Sequence, residues 1–321
     1  MLESLSSATT LPQDEVEILC SWNGSNESEA EIINQSGYEF LIAQHEPYHF
    51  ASNMNQLANQ ANGDVLALIN DDVVLDANSL DAGLQCLSNH PPETMVGALL
   101  RSPNQQLQHM GFCFDMNHNP YHILEGMLDA SEALSDASTI EVPAVTAAVA
   151  MIPRTTFLKL RLNESYQRCG EDIELNLDLR QTLQGHVLLC PALSGVHAES
   201  ATRAEVGERG NTSEDQVNMR ARRRRFLEQA SSAQLLVELS MANRERLLTN
   251  RAIAETKESF RHQQEVIDQQ RKELKESREE LKRDVQLARL KKDRDHWQRQ
   301  AQVLQLESLR LQDAIQRQGD A

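Results

Sequence analysis

From residue 211 to residue 318 the chain contains neither glycine nor proline. A stretch of that length without either residue excludes tight turns and predicts one long helix. Within it, Ile253, Phe260, Ile267, Leu274, Leu281 and Ala288 recur every seven residues. Leu290, Trp297, Leu304 and Leu311 do so again, two places out of phase. The accompanying seam is polar in the first block (Lys257, Gln264, Arg271, Arg278) and Arg294, Ala301, Ser308 and Ile315 in the second. These heptads predict a helical coiled coil over residues 228–318, with a phase slip near 285–290 and self-association through the tail. The alternative is a single solvated helix held by Glu–Lys and Glu–Arg pairs along its own surface.

Everything before this stretch has a different character. The formal net charge is -17. Only 8 Lys and Arg precede Arg220, against 31 Asp and Glu; from Arg220 onward there are 23 basic and 17 acidic residues. All nine prolines lie at or before Pro191. An acidic globular module over residues 1–208, a basic hinge over 209–227 and the coiled coil are therefore expected. An acidic module argues against nucleic acid as a partner. No apolar run approaches the roughly 20 residues of a membrane span. The start of the chain lacks the basic and apolar regions of a secretory signal. The five cysteines are scattered and odd in number, which fits buried thiols in a reducing, cytoplasmic setting.

Apolar runs in the front module alternate with helical patterns, the mark of an α/β fold. Strands are predicted at 16–20, 38–42, 65–69, 95–100, 145–152 and 186–189. A helix runs from Phe50 through Met54, Leu57 and Ala58 to Ala61, and stops at Asn62-Gly63. Another lies near Ala77–Cys86. Residues 172–183 alternate like a strand but also form a broad helical stripe; without β-branched residues after Ile173, helix is the better reading.

Three groups of residues have a chemical argument behind them. The apolar strand Val65–Ile69 runs straight into Asn70-Asp71-Asp72. Carboxylates at the carboxyl end of a sheet strand suit a hard divalent cation and, through it, phosphates. They also suit a plain turn or helix cap. Gly170-Glu171-Asp172 opens a predicted helix, where acidic residues either do chemistry or simply complement the helix dipole. His197 follows a strand and a turn, where a histidine is a ligand or an ordinary packed side chain. The arginine cluster at 220 and 222–225 has two readings as well: contact with anionic lipid headgroups at a membrane surface, or a solvated face balancing the acidic module in cis.

The order of the motifs Gly63–Val73, Leu107–Gly111, Val145–Phe157, Gly170–Arg180 and Pro191–Ser200 resembles the family 2 glycosyltransferases, most of all bacterial members that build surface polysaccharides. The resemblance covers about residues 14–205. It implies a GT-A fold, Rossmann-like, with a mostly parallel sheet flanked by helices. It implies that Asp71 and Asp72, with Trp22 and Asn23, line the site of a nucleotide-diphosphate sugar. Asp72 and His197 would hold Mg²⁺ or Mn²⁺. Asp172 would be the catalytic base with Glu171 beside it. Thr146 and Ala147, on a strand, and His109 would border the acceptor, a growing or lipid-linked glycan. The implied reaction is an inverting transfer in which the metal neutralises the leaving diphosphate and a base takes the acceptor proton. The family's opening strand has no counterpart here, since Val16–Cys20 matches its second strand. Trp22 replaces a family aspartate and Asn70 the first aspartate of Asp-x-Asp. A rival reading is an inactive scaffold that works through its coiled coil; a nucleotidyltransferase would need a glycine-rich phosphate loop, and none is seen.

Overall fold

The computed structural model describes residues 1–133, 138–198 and 213–319. The chain divides into two compact units, Met1–Ala252 and Ile253–Ala321. The first unit opens with helix α1 (Leu2–Ala8). Strands β1 (Glu17–Trp22) and β2 (Glu39–His45) flank the one-turn helix α2 (Asn26–Glu29) and pair in parallel. Helix α3 (Phe50–Gln60) leads to β3 (Val65–Ile69), β4 (Val73–Leu75), α4 (Ser79–Ser88) and β5 (Thr94–Arg101). Short strands β6 (Leu107–His109), β7 (Phe112–Phe114) and β8 (Pro120–His122) follow, then α5 (Ala130–Ala133) and β9 (Ile140–Glu141). The series continues with β10 (Val149–Pro153), α6 (Arg154–Leu160), α7 (Glu171–Thr182) and β11 (His186–His197). Helices α8 (Ser213–Gln229) and α9 (Ser232–Gly319) complete the described elements.

The main sheet runs β3-β10-β5-β11-β4, with β6 on β5 and β9 on β11. Strand β5 is buried on both faces, and its alternation divides the core. Met95 and Leu99 join Leu66, Leu68, Ala150 and Ile152 beneath α3 and α6. Val96, Ala98 and Leu100 join Val149 and Met151 beneath α1 and α4. The α/β front and long C-terminal helix agree with expectation. The strand directions do not: among the described ladders of this sheet only β5–β11 is parallel, while β10 runs antiparallel to β3 and β5, and β4 to β11. The physical reason is plain. A strand buried on both faces reads as an apolar run whichever way it points. The β1–β2 ladder is separate from this sheet, although Ile18 and Leu19 pack into the two opposite cores.

Residues 145–148, expected as strand, form the loop and turn that lead into β10. That segment lies directly on β5. A Cβ built on Gly97 would fall 2.4 Å from Val145 Cβ, so only glycine allows the approach.

The basic stretch at 220–225 lies on α8, a helix docked on α7, where a hinge was expected. The compact unit extends to Ala252, well past the boundary expected at 208. Arg222 pairs with Asp178, and Arg223 and Arg180 both reach Glu238 on α9. Arg180 is 1% exposed and stacks over Phe226, and Arg223 stacks over Phe114. Arg220 Nε donates to Asn119 Oδ1 at 2.6 Å. Arg220, Arg222 and Arg223 are thus engaged within the unit, and only Arg224 and Arg225 of the cluster are exposed.

In the second unit the heptad side chains of the first block face solvent, with Phe260 69% and Leu281 65% exposed. Leu290 and Trp297 are exposed as well. The side chains of Leu304, Ser308, Leu311 and Ile315 lie outside the described residues. No helix among the described residues is long and apolar enough to cross a membrane.

Replacing Gly97 with alanine forces β5 and the 145–148 segment apart. The expected loss is about 1–3 kcal/mol of unfolding free energy, measurable as a lower urea midpoint with unchanged slope.

Candidate active site

The site grows out of the pairing of β4 with β11, which sets Val73 opposite His197. Asp72 precedes Val73, so its carboxylate meets the His197 ring across the ladder. Asp72 Oδ1 lies 3.1 Å from His197 Nε2, and the Asp72 carbonyl accepts from Ala198 N at 3.1 Å. Two residues far apart in sequence are thus neighbours at one sheet end. Just beyond, Arg101 grips Asp76 with both guanidinium nitrogens, and Ser194 Oγ donates to the same carboxylate at 2.6 Å. The Arg101 bonds lead in holding the Asp76 carboxyl below its usual range, against the cost of burial. This lock ties β4, β5 and β11 together beneath the site.

A second wall is the turn before β10. Asn70 N donates to Ala148 O at 2.9 Å, which sets the Asn70-Asp71-Asp72 loop beside that turn. The backbone N–H of Thr146 donates to His109 Nε2 at 3.2 Å, and that of Ala147 to Asp172 Oδ2 at 3.3 Å. These bonds explain why the two residues are not strand: their N–H groups are spent on side chains. Asn176, fully buried on α7, accepts from Val145 N and donates to the carbonyls of Val145 and Asp172. One amide thereby fixes the start of α7 against the turn. Gly170, with φ +114°, allows the chain to enter α7 at this angle.

The carboxylates at the head of α7 diverge. Asp172 is partly exposed and accepts from Ile173 N at 2.7 Å as well as from Ala147. Glu171 is 7% exposed and turned into the protein. On the opposite side of the loop, Asp71 is exposed. Burial first, then the charges of Asp71 and Glu29, push the Cys20 thiol up, which places Asp71 near the end of β1. Trp22, the last residue of β1, and Asn23, just past it, were also expected at the donor site. The Trp22 ring folds back over its own loop, against the position a Cβ on Gly24 would take, and Nε1 donates to Ser25 O at 3.3 Å. Asn23 is exposed.

Two further side chains complete the site, His122 and Gln108, to which the motifs assigned no role. His109 is buried, and its Nδ1 lies 2.7 Å from His122 Nδ1. Because His109 Nε2 accepts from Thr146, its proton sits on Nδ1 and is given to His122. Gln108 Oε1 lies 3.0 Å from His197 Nδ1. The segment Leu107–Gly111 drew notice for His109; the signal for Gln108 is a register shift that only pairing reveals.

Asp72 Oδ1 is buried and accepts no hydrogen bond. An anionic oxygen left without a donor beside an imidazole nitrogen suits a hard divalent cation. Among the described residues no group of three or more His, Cys, Asp or Glu gathers around one point. Asp72 and His197 would therefore supply two protein ligands and leave the rest of the coordination to a ligand's oxygens, as at sites shared with phosphates.

Residues 1–110 match the family model described as glycosyl transferase family 2. A curated relative, the O-antigen biosynthesis protein RfbC of Myxococcus xanthus, is 29% identical over 212 residues, 63% of this chain and 16% of the relative. The chain thus matches only a small part of that relative's length. Among solved structures, GalNAc-T7 with UDP, GalNAc and Mn²⁺ aligns at 15% identity and a TM-score of 0.45, covering 58% of this chain and 38% of its own. The Pyrobaculum calidifontis mannosyltransferase PcManGT, in complex with GDP-Man and Mn²⁺, aligns at 15% identity and 0.42, covering 78% and 75%.

Burial, aided by His122 and His197, holds His109 well below its ordinary value of 6.5. The folded protein keeps the ring neutral, whereas the unfolded chain takes up a proton near 6.5. Stability from this group is therefore complete above that pH and is lost as pH falls. Between about pH 7 and pH 5 the unfolding free energy should fall more steeply than in His109→Phe, by up to about 1.4 kcal/mol per unit. Urea titrations at stepped pH measure the difference.

Proposed function

We propose that the front unit moves a sugar from a nucleotide-diphosphate donor to a hydroxyl of a growing glycan, with inversion at the anomeric carbon. The observation that carries this reading is the buried, undonated Asp72 Oδ1 beside His197 Nε2; His197 meets Gln108, the neighbouring His109 holds Thr146, and Ala147 reaches Asp172. The match to the glycosyltransferase family supports it. Asp72 and His197 would hold Mg²⁺ or Mn²⁺, and the bound ion supplies charge neutralisation for the departing diphosphate.

The chain's own groups account for the rest. Asp172, rather than the buried Glu171, is the base. Its two oxygens accept from the N–H groups of Ala147 and Ile173, which aim the carboxylate. Neutral His109 holds the Thr146 backbone, so the acceptor side keeps its shape. Asp71 and the loop at Trp22 and Asn23 form the donor side. The name of the curated relative, an O-antigen biosynthesis protein, supports a surface or lipid-linked glycan as acceptor.

With Mn²⁺ present the protein should bind, and slowly hydrolyse, a UDP- or dTDP-sugar. Asp72→Ala should abolish this. Asp172→Asn should keep donor binding and lose about 10²–10⁴-fold in transfer. Donor binding indifferent to Mn²⁺ and to Asp72 would overturn the metal assignment.

We further propose that the second unit self-associates, because its apolar heptad stripe is exposed in the single chain. Sedimentation of the whole chain should report an oligomer. The double variant Phe260→Glu, Ile267→Glu should shift it to the monomer.

A further inference from the structure

Where β6 pairs with β5, it carries one residue more than β5 does. Leu100 faces His109 and Arg101 faces Leu107, so a single step on β5 spans two on β6. Gln108 is the extra residue. Such bulges turn a side chain out of the regular alternation and are common beside active sites. Here the bulge sends three consecutive buried side chains to three destinations. Leu107 enters the core, His109 meets Thr146 and His122, and Gln108, 5% exposed, meets His197.

The contact has a chemical consequence. A carbonyl oxygen can only accept, so Gln108 Oε1 requires the proton of His197 on Nδ1. Nε2 then carries the lone pair and lies 3.1 Å from Asp72 Oδ1. The opposite amide orientation would present N–H₂ to Nδ1 and drive the proton to Nε2, where it would serve Asp72 Oδ1. That oxygen accepts no hydrogen bond, so nothing there draws the proton to Nε2. A carboxylate oxygen and a lone-pair nitrogen this close repel each other unless a cation lies beside both.

We propose that Gln108 is the positioning residue of this site: by accepting the Nδ1 proton it fixes the His197 tautomer and presents Nε2, with Asp72, to a divalent cation. The inference rests on the metal reading above and deepens it. A histidine ligand needs its other ring nitrogen occupied by an acceptor, and loss of that acceptor typically weakens metal binding about 10–100-fold. In this chain a neutral amide on a bulge does the work that a carboxylate or a backbone carbonyl does elsewhere.

The test uses the whole chain and Mn²⁺ alone, then Mn²⁺ with UDP, followed by electron paramagnetic resonance of the free ion. Gln108→Leu, which removes the acceptor at similar volume, should weaken Mn²⁺ binding about 10–100-fold. Gln108→Glu, whose carboxylate accepts the same proton, should retain it. In parallel, ¹⁵N resonances of the His197 ring should report protonation at Nδ1 in the natural protein and in Gln108→Glu, and a tautomer mixture in Gln108→Leu. Equal Mn²⁺ affinity in the natural protein and Gln108→Leu overturns the proposal, as does a His197 proton on Nε2 in the natural protein. If Gln108→Leu fails to fold, weakened binding in Gln108→Glu overturns it instead. Absence of Mn²⁺ binding by the natural protein refutes the metal reading, and the ring resonances still decide the tautomer.

Discussion

The site depends on one strand keeping two partners. β11 runs parallel to β5 throughout, with a register slip between Cys190 and Ser194, and beyond the slip it also lies antiparallel to β4. That second pairing is short, yet it sets His197 beside Asp72. Its grip is strengthened where Arg101 and Ser194 close on Asp76, a paired and partly buried carboxylate whose bonds offset its desolvation. The strand-end carboxylate and the late histidine owe their proximity to this ladder.

The opposite wall is built on a different principle. Residues 145–148 have no ladder of their own, and side chains from other elements replace it. Asn176 holds Val145, His109 holds Thr146 and Asp172 holds Ala147. The group proposed as base is therefore part of what shapes the turn at 145–148. A change in the position of α7 moves Asp172 and this turn together, so their geometry cannot drift apart independently.

Much of this was legible in the sequence, and the remainder was hidden for identifiable reasons. Asp72 and Asp172 were readable because a strand that ends in carboxylates and a helix that begins with them are local patterns. The helix at 172–183 was readable from the lack of β-branched residues. Strand direction was not, because burial on both faces erases it. Thr146 and Ala147 looked like strand because their hydrogen-bond partners are remote. Gln108 was invisible because a bulge is a property of two strands, not of one. The arginines at 220–225 looked like a solvated cluster because their partners, Asp178 and Glu238, lie on other helices.

The shared carboxylate of Glu238 has one more consequence. It sits on the first turns of the long helix and meets two guanidiniums of the front unit, one of them fully enclosed. An enclosed cation that loses its counter-charge is among the most destabilising changes a small protein can suffer. The seam visible in composition is therefore not a place where the molecule can be divided. Over evolutionary time, an exchange of tails among relatives would have to carry the stretch up to about Ala252 with the catalytic part, and the free cassette begins only where the heptads do.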